Sequence, residues 1–99
     1  MVNFGIFVRI EAKEGKEADV EEFLTQALDL ANEEEFTPVW FAVRFGPGSF
    51  AIFDAFESSD AREDHLGGKV AAALMARSAE LFAQPPVIET ADVLAVKLP

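Results

Sequence analysis

The strand segments of this chain are apolar on both faces, which constrains its fold more than any other feature. From Val2 to Glu11, Val2, Phe4, Ile6, Val8 and Ile10 fall on one side, and Asn3, Gly5, Phe7, Arg9 and Glu11 on the other. This period-two pattern, rich in β-branched and aromatic residues, is that of a strand. From Val39 to Phe45, Val39, Phe41, Val43 and Phe45 oppose Trp40, Ala42 and Arg44; from Phe50 to Phe56, Phe50, Ile52, Asp54 and Phe56 oppose Ala51, Phe53 and Ala55. A last strand is expected over Val87–Leu98, bent around Thr90-Ala91-Asp92, with Leu94, Val96 and Leu98 against Val93, Ala95 and Lys97. A sheet with helices on one side and water on the other alternates apolar with polar residues. These strands do not, so both faces need cover.

Two segments change to helical period. Val20, Phe23, Leu24, Ala27, Leu28 and Ala31 form one stripe within Lys16–Glu35. The acids of its first turns suit the helix dipole, whereas Glu33-Glu34-Glu35 sits at the wrong end and reads as fraying or loop. Ser58, Ser59 or Asp60 is placed to cap a short helix running to His65, which Gly67-Gly68 breaks. An Ala-rich helix then covers Lys69–Ala83, with Val70, Leu74, Leu81 and Phe82 inward, and Pro85-Pro86 ends it. Between the second and third strands, Gly46-Pro47-Gly48-Ser49 is a hairpin turn.

The order is β-α-β-β-α-β. It predicts an α+β, ferredoxin-like split βαβ fold, with a four-stranded antiparallel sheet and helices on one face. At 99 residues the chain is long enough for one domain, spanning 1–99. Helices cover one sheet face only, so a second copy packed sheet to sheet is the simplest cover for the other, and a homodimer is expected.

Composition narrows the chemistry. With no cysteine, thiolate metal sites and thiol nucleophiles are excluded, and a single histidine leaves little for a metal centre. The net charge is −10, and residues 13–35 alone hold nine acids against two bases. Such a surface repels phosphate backbones and anionic membranes, so neither nucleic acid nor membrane is an expected partner. Met1-Val2-Asn3-Phe4 lacks the basic start and apolar run of a signal peptide, and a cytoplasmic location is expected. Ten Phe and one Trp, with no Tyr, mean an aromatic core, a pocket or a subunit interface.

Five residues are candidates for a site. His65 has the only side chain whose ordinary pKa lies near neutrality, which makes it the proton-transfer candidate; it also suits a plain helix-end position. The acids of Asp60-Ala61-Arg62-Glu63-Asp64 are placed to raise its pKa if they approach it. Trp40 fits a pocket wall or the core. Arg44, inside an apolar strand, needs an acidic partner or a ligand anion, and Asp54 on the adjacent strand is the candidate partner. Asn3 is a polar residue early in the first strand.

The strand Val39-Trp40-Phe41-Ala42-Val43-Arg44, the strand Phe50-Ala51-Ile52-Phe53-Asp54-Ala55-Phe56, the segment Ala61-Arg62-Glu63-Asp64-His65-Leu66 and the end Asp92-Val93-Leu94-Ala95 together resemble the antibiotic biosynthesis monooxygenase domain. The resemblance covers nearly the whole chain. It implies a dimeric α+β barrel and a cofactor-independent monooxygenase that oxidises a small phenol, quinol or polyketide-like aromatic with dioxygen. His65 would take the phenolic proton, Arg44 or Asn3 would stabilise the oxyanion, and Phe side chains with Trp40 would wall the pocket, with Asp54 among the substrate-binding groups. Two alternatives stay open: a non-catalytic barrel that binds a small hydrophobic ligand, and a haem-degrading monooxygenase. In haem-degrading members a first-strand Asn, a Trp and a His act together; Asn3 and His65 match two of these, and Phe56 stands where their Trp ends the third strand.

Overall fold

The computed structural model describes residues 1–99. Its elements are β1 (Phe4–Glu11), α1 (Glu17–Glu33), β2 (Val39–Gly46), β3 (Ser49–Phe56), α2 (Ser59–Leu66), α3 (Lys69–Leu81) and β4 (Val87–Asp92). The strands form one antiparallel sheet in the order β2-β3-β1-β4. The ferredoxin-like α+β arrangement read from the sequence is the one observed.

The helices gather on one face because their apolar stripes match the even-numbered side chains of β1 and β3. Ile6, Val8 and Ile10 meet Phe50, Ile52 and Phe56, and Val20, Phe23 and Leu24 of α1 close over them with Leu74 and Leu81 of α3. All are buried, and each large aliphatic or aromatic side chain so placed contributes about 1.5–3 kcal/mol. Leu28, expected in the stripe, is instead 45% exposed and borders a groove described below.

Two boundaries differ from the sequence reading. The final strand ends at Asp92 rather than continuing to Leu98. Asp92 pairs with Phe4, the first residue of β1, and the Val93 amide donates to the Asn3 carbonyl, so the partner strand is used up. Leu94 beyond it is 94% exposed. The β2–β3 turn is also shorter, with Gly46 paired to Ser49 across Pro47-Gly48 and a bulge between Arg44 and Gly46.

The second sheet face carries no helix. Phe41 and Phe45 are 53% and 57% exposed, with Val43 between them on β2 and Val87 on the same face of β4, and the Arg9 guanidinium lies 4.7 Å from the centre of the Phe45 ring. The Phe residues thus divide: Phe23, Phe50, Phe56 and Phe82 build the core, and the exposed pair sits on the bare face. No helix is long and apolar enough to cross a membrane.

α2 is short and polar, and local bonds fix its place. The Ser58 hydroxyl accepts from the Ala61 amide at 3.0 Å, capping the first turn. Arg62 donates to the Gly5 and Ala91 carbonyls, each at 3.4 Å, which ties the helix to β1 and β4. Ser58→Ala is expected to cost about 1 kcal/mol, read as a lowered urea midpoint with an unchanged slope.

Candidate functional site

Three elements bring three ionisable side chains together in the core. β3 points Asp54 at the helices between Ile52 and Phe56, since alternate residues share a face. α2 ends with His65 in its last turn, where the helix dipole favours a cation. α1 stops at Glu33, and Glu34 takes an extended conformation that turns its side chain inward. The side chains of Glu34, Asp54 and His65 are 6%, 1% and 5% exposed.

His65 lies between the two acids. Its Nδ1 is 2.6 Å from Glu34 Oε1 and its Nε2 is 3.0 Å from Asp54 Oδ2. The Asp54 contact pairs charges at close range, although the Asp54 oxygens accept no aligned hydrogen bond. Thr37 completes the Glu34 side, its hydroxyl donating to Oε1 at 2.9 Å. A carboxylate at each ring nitrogen selects the imidazolium, the form with an N–H on both sides. Glu34 also lies close to the start of α3, where a Cβ at Gly68 would fall 2.5 Å from its Oε2, an atom with no hydrogen-bond partner. The carboxylate therefore sits against the backbone that opens α3, where the helix dipole favours negative charge, and a side chain at position 68 would have to displace it.

Burial would lower the His65 pKa from 6.5, but Asp54 and then Glu34 outweigh it, and the net direction is upward. Asp54 is raised from 3.8, chiefly by burial and further by Glu34, against the lowering influence of His65. The acids that act on His65 are thus distant in sequence; they are not those of the 60–64 run beside it.

The structure divides the candidate residues among three places. His65 and Asp54 border a cavity of about 20 Å³, otherwise lined by aliphatic and alanine side chains including Ile6, Val8, Ile52, Val70 and Leu74. That volume suits one water and no aromatic ring, so His65 does not face the Phe- and Trp-walled pocket expected. Trp40 and Arg44 instead line an open groove of about 430 Å³ between α1 and β2, with Leu24, Leu28, Phe41 and Phe50. Arg44 pairs with Glu21 on α1, not with Asp54. The reason is register: Arg44 stands opposite Phe50, and Asp54 opposite Trp40. Asn3 is exposed and borders a separate recess with Met1, Phe4 and Asp92.

Glu34 and Thr37 were missed in the sequence. An acid at a helix C-terminus is unfavourable unless a buried cation holds it, and that misplacement was the available signal. Nor does His65 fit as a haem ligand, since both ring nitrogens are engaged and the space beside it is water-sized.

Comparison with protein-family models and with curated proteins gave no match. Among solved structures, a protein of unknown function from Nitrosomonas europaea is 52% identical with a TM-score of 0.97, over 100% of this chain and 96% of that one. A Caulobacter crescentus protein named as a candidate antibiotic biosynthesis monooxygenase is 22% identical, with a TM-score of 0.77 over 95% and 92% of the two chains. A Mycobacterium tuberculosis protein is 15% identical, with a TM-score of 0.80 over 94% and 96%. The resemblance to the monooxygenase domain holds at the level of the fold.

The buried charges predict stability. A His65 pKa raised above 6.5 stabilises the fold fully below that pH, and the contribution is lost as pH rises through the folded value. Asp54, also raised, acts in the same direction from 3.8 upward. The urea midpoint is therefore expected to be higher at pH 6 than at pH 9. In a Glu34→Gln/Asp54→Asn variant burial alone acts on His65, its pKa falls, and the slope near pH 6 reverses sign. His65→Leu strands two buried carboxylates and is expected to cost about 3–5 kcal/mol in urea unfolding.

Proposed function

We propose, for a chain that belongs to the same family as that Nitrosomonas europaea protein, an enzyme that oxidises a small electron-rich aromatic with dioxygen and needs no cofactor. The observation that carries this reading is the apolar groove with a single cation, Arg44, among its lining residues. Its volume falls within the range usual for small-molecule sites, and Trp40 and Phe50 suit a flat ring. The fold shared with structures named for monooxygenase activity supports it.

In this reading the ring lies between α1 and β2, its phenolic proton passes to water at the open side of the groove, and Arg44, drawn across by Glu21, steadies the phenolate oxygen left behind. The electron-rich ring passes an electron to dioxygen and then combines with it as a peroxide. A ring CH₂ of the keto tautomer becomes a carbonyl; one oxygen atom enters the product and the other leaves as water. His65 supports the site from α2, on the same side of the sheet, by holding Asp54.

The enclosure of His65 favours one second reading, a barrel that binds such a ligand without oxidising it. Oxygen-electrode assays with quinols and anthrones, run beside thermal-shift binding, separate the two. One dioxygen consumed per substrate is expected, with kcat/KM lowered about tenfold or more in Arg44→Ala. Thermal stabilisation without oxygen uptake would replace the enzyme with the binding protein.

The bare sheet face supports a homodimer packed face to face, as the two-sided apolar strands suggested. Sedimentation is expected to give about twice the 10.8 kDa chain mass, and a Phe41→Asp/Phe45→Asp variant the mass of one chain. A wild-type mass of one chain would end this part of the proposal.

A further inference from the structure

Both walls of the groove run into one short connection. α1 supplies Leu24 and Leu28, β2 supplies Trp40, and residues 34–38 join the two elements. The backbone hydrogen bonds of that connection are local, from the Glu34 amide to the Ala31 carbonyl and from the Thr37 amide to the Glu34 carbonyl. Its polar ties to the rest of the fold are two side-chain contacts with His65: Glu34 Oε1 lies 2.6 Å from Nδ1, and Thr37 Oγ1 lies 3.3 Å from the same nitrogen. Glu34 and Asp54 are the ionisable groups that face the ring. β1 presents Ile6 and Val8 to the cavity beside it, α3 presents Val70 and Leu74, and β4 presents Ile88, none of them charged. On α2 itself Glu63 and Asp64 are exposed, and Arg62 is directed to the Gly5 and Ala91 carbonyls. Lys69 of α3 pairs with the exposed Glu33.

The proton on His65 decides whether this anchor holds. The imidazolium has an N–H for each carboxylate, whereas the neutral ring has one N–H for two. Asp54 is fixed, since it lies mid-strand in β3 with β1 and β2 paired on either side. Glu34 is free to give way, because it follows the last turn of α1 on a connection with no other polar anchor. With the remaining N–H on Nε2, toward Asp54, the bare Nδ1 lone pair faces the Glu34 carboxylate, and the Thr37 hydroxyl is in reach to donate to that nitrogen instead of to Glu34. Resting on the reading of the groove as an aromatic site, we propose that Glu34, Thr37 and His65 form a proton-dependent latch on the α1–β2 connection, which sets the groove walls for a ring while His65 is protonated and releases them when it is not. His65 and Glu34 are then positioning residues, which act on the ligand through the spacing of α1 and Trp40. The two carboxylates that raise the His65 pKa keep the latch mostly closed at pH 6.5, and it opens as pH rises through the folded value.

The test uses 2-methoxynaphthalene, a ring with no ionisable proton, on the full chain. His65 is the only histidine, so its ring C–H signal in ¹H–¹³C spectra locates the titration midpoint without ambiguity. By calorimetry the probe is expected to bind about fivefold more weakly, or worse, two pH units above that midpoint than two units below it. The reverse effect follows by linkage: saturation with the probe should raise the midpoint by about 0.7 pH unit, the same factor on a logarithmic scale. A cluster that only stabilises the fold would move neither reading while the chain stays folded, which far-UV circular dichroism checks at both pH values. In Glu34→Gln the amide can accept from Nδ1 or donate to it, so the connection stays anchored in both states and the pH dependence should fall below about twofold. Equal affinity on both sides of the midpoint, or a midpoint that saturation leaves in place, overturns the latch, as does a ring that stays protonated to pH 10. A dependence retained in Glu34→Gln overturns the part given to Glu34. Failure of the probe to bind, or binding that leaves the indole signal of Trp40, the only tryptophan, in place, removes the groove reading and this inference with it.

Discussion

An imidazole held between two buried carboxylates is the interaction on which the joining of α1, α2 and β3 depends. Glu34 leaves α1, Asp54 leaves β3 and His65 leaves α2, so the cluster joins three segments that the backbone bonds of the sheet do not link. Buried charge is a poor source of net stability, since desolvation offsets most of the attraction. It is strict about geometry, however: losing any member leaves the others uncompensated. The α2–α3 corner is adapted to this cluster, with glycine at position 68 because the Glu34 carboxylate needs the space a side chain would fill.

The cluster also divides the work between the two hollows of the helix-facing side. The groove carries one ion pair, Arg44 with Glu21, in contact with solvent, whereas the charges of Glu34, Asp54 and His65 are buried. The small cavity can hold charges because aliphatic side chains from β1, β3 and α3 seal it. The two hollows approach one another where the ladder sets Trp40 of the groove against Asp54 of the cavity.

Local pattern was enough to place the strands, α1 and the cap of α2, since period and capping residue are read within a few neighbouring positions. Val20, Phe23, Leu24 and Ala27 lie on the buried stripe because their spacing alone places them there. The extent of β4 was not legible in the same way: residues 93–98 read as a strand, but their pairing depended on how far β1 reached. The partners of His65 and Arg44 depended on register and on the exit angle of α1. A shift of two residues along β2 would have set Arg44 much nearer Asp54. Glu34 was hardest to see, because an acid inside an acidic run looks like solvated surface until a tertiary contact singles it out.

The bulge between Arg44 and Gly46 lies on an outer strand of the sheet, where backbone donors and acceptors have no neighbour on one side. A long, regular, apolar border of this kind is a template on which stray chains add as further strands and begin fibrils. The bulge breaks the even spacing of those groups and increases the local twist, so an incoming strand meets a ladder it cannot follow. Arg44 and its ion pair with Glu21 lie beside the break and add charge to the same border. Removing the irregularity would leave the fold intact and make this acidic, Phe-rich chain far more prone to assemble edge to edge.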